Sequence, residues 1–213
     1  MSAEKFFIEI IDFYWINGDK DDPEDKCLHG NVNVKIGNEV VAENYPCTVS
    51  STALYLLKSL QNNHIPGVSL NQMLPCCGFF IIPNDTNDTV EITGCLTGID
   101  WTVIHENHSV KLITQKGHES SIDIDSYRLI VFDFVDKVEK YYNSCKEKIL
   151  PADDFDLKGY LMFWKEWHKI SIGIRHLDFL NTKASIMTKS HTRPIIRKEL
   201  YESLMKGPYD CLN

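Results

Sequence analysis

Cys27, Cys47, Cys76, Cys77 and Cys95 crowd the first half of this 213-residue chain, with His29, His105 and His108 in or near the same stretch. Thiolate and neutral imidazole are the usual ligands of zinc, and a thiolate is also a nucleophile. Cys27 and His29 stand two apart, so on an extended strand both side chains leave the same face and can share one ion. Cys76, Cys77 and Cys95 can supply the rest of a tetrahedral shell. The candidate metal ligands are therefore Cys27, His29, Cys76, Cys77 and Cys95, and zinc is the candidate cofactor.

Spacing weighs against that centre. Structural zinc sites use Cys-x2-Cys knuckles, of which the chain has none. Adjacent cysteines on an extended backbone also point apart. A free cysteine is commonly a small buried hydrophobe, and the sequence favours that role. Pro75-Cys76-Cys77-Gly78 can instead expose a nucleophilic thiol, if a histidine, a cation or a helix N-terminus lowers its pKa. His29, His64 and His105 are the candidate partners.

Other motifs fall short. His105-Glu106-Asn107-His108 is one residue shorter than the His-Glu-x-x-His of zinc proteases, and it lies in an expected hairpin turn rather than a helix. His105 ends an apolar strand face and is expected at the edge of the core; His108 is expected in an exposed turn. The acidic run Asp19 to Asp25 lacks the glycine and distal glutamate of a calcium loop, and reads as a mobile loop or an electrostatic surface. Trp164 and Trp167 follow helical spacing, which points to the core.

The elements that must position these groups are legible in outline. Lys5 to Trp15 is rich in aromatic and β-branched residues and predicts a strand. Residues 31–36 and 39–43 flank Gly37-Asn38, a hairpin signal, because both residues tolerate positive φ. Thr48 to Asn63 predicts a helix with Ala53, Leu54, Leu57 and Leu60 on one apolar stripe. Segments 79–82, 89–93, 99–105 and 109–114 predict an antiparallel meander, since no connection is long enough for a crossover helix.

From Ser126 the period turns helical, and Tyr127, Ile130, Val131, Phe134, Val135, Val138, Tyr141, Tyr142 and Cys145 share one stripe. After Pro151-Ala152-Asp153-Asp154, a second helix turns Tyr160, Phe163, Trp164, Trp167 and Ile170 inward, with a break expected at 171–173. A last helix is expected from Thr192 to Gly207. The expected fold class is α+β, an antiparallel sheet of hairpin plus meander packed by long C-terminal amphipathic helices. It is expected as a single domain over 1–213, with a subdivision into a body, 1–150, and a helical segment, 151–213.

Hydrophobic residues make up 43% of the chain and charged residues 24%, which fits a folded globular protein. No apolar run reaches the roughly 18 residues a membrane helix needs. Glu9 and Asp12 spoil any signal-peptide pattern at the start, so a cytoplasmic location with reduced thiols is expected. Residues 165–206 carry nine Lys or Arg against four acids, while the formal net charge of the chain is −8. Whole-protein acidity opposes nonspecific nucleic-acid binding, and the basic tail is expected to dock on its own acidic body or to be a solvated helix face. The expected function is a non-catalytic intracellular interaction module, of which an inhibitor or immunity-type protein is one form, with a protein partner or homo-oligomer. The alternative is a metal- or thiol-dependent enzyme using the Cys/His cluster of residues 27–95.

Overall fold

A computed structural model describes residues 5–18, 21–67, 72–78 and 80–189, with side chains to His176. The chain divides into two compact units, Met1–Ser171 and Ile172–Asn213. The described part of the second is the continuation of a helix to Lys189. The side-chain interactions below belong to the first unit.

Among the described residues the fold is a mix of three antiparallel sheets and three helices. The first sheet has the order β1-β2-β3, from β1 (Phe6–Tyr14), β2 (His29–Ile36) and β3 (Glu39–Cys47). Gly37 turns β2 into β3 at φ +59°, the left-handed conformation that the Gly-Asn signal predicts. Along β2 the side chains of Val32, Val34 and Ile36 are buried, and their alternation fixes the register against both neighbours.

Helix α1 (Val49–Ser59) follows directly. The expected single apolar stripe is not what it shows. Apart from Lys58 every residue of α1 is buried, including Ser50, Ser51, Thr52 and Ser59. Their hydroxyls are tolerated because many return to the scaffold: Ser59 Oγ donates to Leu56 O at 2.7 Å and meets the Tyr127 hydroxyl at 2.8 Å.

The expected meander is two separate units. β4 (Phe80–Asn84) and β5 (Thr89–Thr93) form a two-stranded hairpin. β6 (Trp101–Glu106), β7 (Ser109–Thr114) and β8 (Glu119–Asp123) form the third sheet. Strand β8 was not legible, because Glu-Ser-Ser-Ile-Asp carries one apolar residue and its pairing comes entirely from β7.

Both outer edges of the β4–β5 hairpin are covered. On β5, Val90 N–H donates to Glu166 Oε2 at 2.7 Å, while Val90 O accepts from Lys58 Nζ and Ile92 O from the Tyr55 hydroxyl at 2.9 Å. On β4, Pro83 has no N–H to offer. The Ile81 carbonyl lies against Gly159, so close that a Cβ there would meet it at 2.2 Å.

Asp123 caps α2 (Ile124–Ser144) by accepting from Ser126 N–H at 2.8 Å. The helix buries Tyr127, Val131, Phe134, Val135, Val138 and Tyr142 of the expected stripe, while Ile130, Tyr141 and Cys145 are half-buried. Tyr127 packs on Phe6 at 5.5 Å between ring centroids, and Phe6 in turn on Trp101 at 6.2 Å. Helix α3 (Asp154–Lys189) runs through 171–173 without the expected break. Phe163 and Trp167 are buried as expected, and Trp164 is half-buried against Tyr142 at 5.0 Å. The helix expected from Thr192 lies outside the described residues.

Candidate functional site

Two segments, 72–78 and 94–100, are zipped together before either carries any chemistry. Leu74 and Ile99 exchange backbone hydrogen bonds at 2.9 and 3.0 Å. Gly98 N–H donates to Gln72 Oε1 at 3.0 Å, and Met73 N–H to Asp100 Oδ1 at 3.1 Å. Pro75 O accepts from Thr48 N–H, at the entrance to α1, at 2.9 Å. The Tyr45 hydroxyl, from β3, donates to Thr97 O at 3.3 Å. Gly94 permits the closest approach, since a Cβ there would stand 2.0 Å from Cys77 O.

At the end of this zipper sit Cys76, Cys77 and Cys95, whose sulfurs all lie within 4.8 Å of one another. Cys76 occupies a bend. Its sulfur is therefore 3.7 Å from that of Cys77, and the divergence expected of adjacent cysteines on an extended backbone does not arise. Cys76 and Cys95 are paired as a disulfide across 19 residues, which departs from the expectation of uniformly reduced thiols. Cys77 is free, and its sulfur accepts the Cys95 N–H at 3.2 Å. The Thr97 hydroxyl lies 3.2 Å from both the Cys76 and the Cys95 sulfurs.

Cys27 and His29 are not part of that group. Cys27 does reach the loop, but its thiol donates to the Gly78 carbonyl at 3.2 Å rather than joining the sulfurs. His29 stacks on Tyr14 at 5.7 Å, in register with it across β1 and β2. Burial holds the His29 imidazole below its ordinary pKa. The structure thus brings together three of the five candidate ligands.

Cys47 is buried, and Cys27 and Cys145 are half-buried. Burial pushes Cys27 up to about 11, with Asp25 adding to the effect, and burial pushes Cys47 up to about 12. Burial, then Asp21, also raises Cys145. Against an ordinary value of 9.0, the shift at Cys27 cuts the thiolate fraction near neutral pH by about 100-fold. Alkylation of the native chain at pH 8 is therefore expected to spare Cys27 and Cys47 and to label Cys77, read by peptide mass spectrometry. Labelling of Cys47 as fast as Cys77 would contradict the burial. Because the folded-state values are raised, the stability these thiols contribute is full below pH 9 and drains away as pH climbs toward 11 and 12.

Asp100, His64, His105, Asp21, Asp22 and Asp25 are bonded to the scaffold. Asp100, 5% exposed, accepts from His64 Nε2 at 2.7 Å, Met73 N–H and Trp101 N–H. His105 sits at the core edge, as expected, with Nε2 2.8 Å from Ser59 O, and His108 is exposed. Of the acidic run, the described residues 21–25 are tied to neighbouring segments by hydrogen bonds. Asp21 accepts from Lys146 N–H, Asp22 from Glu24 N–H, and Asp25 from the N–H groups of Ile16 and Cys27. The Asn17 amide and the Glu24 N–H hold the Asp22 carboxyl below the usual range.

Thr97, Gln72, Tyr45 and Asp100 were missed as parts of the site. Gly94 and Gly98, bracketing Cys95 as Gly78 follows Cys77, were the available signal that two backbones approach here. No protein-family model matches the chain, and comparison with curated proteins and with solved structures finds no match. No described helix is long and apolar enough to cross a membrane.

Proposed function

We propose that this chain is a non-catalytic intracellular protein-interaction module, of the inhibitor or immunity kind, whose acidic surface meets a basic partner. One observation carries this reading. Among the described residues the two buried carboxylates are engaged in holding the fold: Asp100 with His64 and two backbone N–H groups, Glu166 with Lys58 and Val90. A catalytic acid or base needs a reacting atom within hydrogen-bond reach, and these reach only the scaffold. The formal charge of −8 supplies long-range attraction for a basic surface and speeds encounter with it.

Affinity capture from cells with the full chain as bait is expected to recover a basic protein, or a second copy of the chain, released as salt rises from about 0.1 to 0.5 M. Recovery of neither, beside a measurable turnover, sinks the proposal. A second reading, a metal- or thiol-dependent centre, is supported among the described residues at Cys76, Cys77 and Cys95. Its zinc form would need a fourth ligand beyond these three sulfurs.

A further inference from the structure

We propose that Cys76, Cys77 and Cys95 form a redox-gated site for one monovalent copper ion, held by three thiolates when the Cys76–Cys95 disulfide is reduced. This rests on the second reading above, and its failure leaves the protein-binding proposal untouched.

Donor chemistry selects the ion. The group is all sulfur, with no carboxylate or imidazole among its described members, and soft thiolates select soft ions. Zinc in a structural site takes four ligands, and the expected additional donors, Cys27 and His29, are turned to Gly78 O and Tyr14 instead. A monovalent copper ion is satisfied by three. With metal–sulfur bonds of about 2.3 Å, a trigonal shell places its sulfurs about 4 Å apart. The three sulfurs here lie within 4.8 Å of one another, and those of Cys76 and Cys77 are 3.7 Å apart, so side-chain rotation alone closes the shell. The zipper of Leu74 with Ile99 and Met73 with Asp100 holds the two segments in place as the sulfurs change partners. Cys95 N–H already points at the Cys77 sulfur, and the Thr97 hydroxyl lies beside the other two; both can donate to metal-bound thiolates.

The gate follows from electron counting. With the disulfide formed, Cys77 is the one remaining thiol of the group and cannot hold the ion alone. Two equivalents of a small thiol, or one of a dithiol, break the Cys76–Cys95 bond. The reductant leaves as its own disulfide, and its two protons end on the Cys76 and Cys95 sulfurs. Binding then releases the three thiol protons to solvent and leaves a three-thiolate complex of charge −2.

The full chain, anaerobic and with or without prior reduction by a dithiol, is titrated against the monovalent copper complex of a coloured chelator. The reduced protein is expected to withdraw one equivalent, with a new near-ultraviolet thiolate-to-copper band, and the oxidised protein none. Cys77→Ser and Cys95→Ser are expected to weaken binding by more than about 100-fold, and Thr97→Val by about 10-fold, the scale of an outer-shell partner. Cys145→Ser retains the site. Circular dichroism checks the fold of each variant; should Cys95→Ser not fold, Cys77→Ser and Thr97→Val decide. The proposal is overturned by no withdrawal from the reduced chain, by equal binding to the oxidised chain, by tight binding that survives Cys77→Ser, or by zinc displacing copper stoichiometrically.

Discussion

Asp100→Ala is expected to cost about 3–5 kcal/mol of stability, the scale for removing one partner from a buried charge-assisted network. A single oxygen, Oδ1, accepts from His64 Nε2 at 2.7 Å, Trp101 N–H at 3.0 Å and Met73 N–H at 3.1 Å. Removing it leaves these donors without their acceptor, in a place where His64 and Asp100 are both buried and water cannot readily replace it. Asp100→Asn retains an amide oxygen for the two backbone donors and is expected to lose less than half as much. Urea unfolding of the three proteins measures both. A loss below about 1 kcal/mol for the alanine variant would mean the network contributes no more than an ordinary hydrogen bond. The effect also reaches the cysteines. Met73 begins the turn that delivers Cys76, so the alanine variant is expected to expose Cys76 and Cys95 to a reductant more readily than the parent.

Glu166→Ala has the second largest expected effect, about 3 kcal/mol, the lower end of the range for breaking a buried pair. Glu166 is 4% exposed and binds two partners, Val90 N–H at 2.7 Å and Lys58 Nζ at 3.1 Å. The lower end applies because the Lys58 side chain keeps 22% of its exposure and can regain water when its carboxylate is removed. Glu166→Gln preserves an acceptor for Val90 and is expected to fall between parent and alanine. Hydrogen exchange at the Val90 amide gives a local reading beside the global one. If that amide is as protected in the alanine variant as in the parent, Glu166 is not what holds the β5 edge.

How much of this was legible follows the physics of each element. The α2 stripe was clear because one face of a long helix is buried and its period of 3.6 survives in the sequence. The Gly37-Asn38 turn was clear because φ +59° is a demand that few residues meet. Helix α1 was found, but its burial was not: a helix covered on all sides shows no polar face, and its serines and threonines mimic one. β8 was invisible because its strand character is supplied by β7. At the candidate site, the cysteines announced themselves by type. Which of them meet depends on long-range contacts, Leu74 with Ile99 and Thr48 with Pro75, that no local spacing encodes. Cys27 and His29 shared a strand face in principle, yet one was drawn to a carbonyl and the other to a ring.

The covered edges of the β4–β5 hairpin set the language in which it can be read by another molecule. With Val90 and Ile92 already bonded to side chains of α1 and α3, and with Pro83 and the Gly159 approach on the other strand, no vacant backbone ladder is on offer to an incoming strand. Strand addition, which accepts many sequences because it reads main chain, is closed here. What the hairpin still displays is Phe80 and Ile82, exposed on one face of β4. Recognition at this hairpin therefore depends on shape and side-chain identity, and a molecule meeting it must fit those two residues in particular.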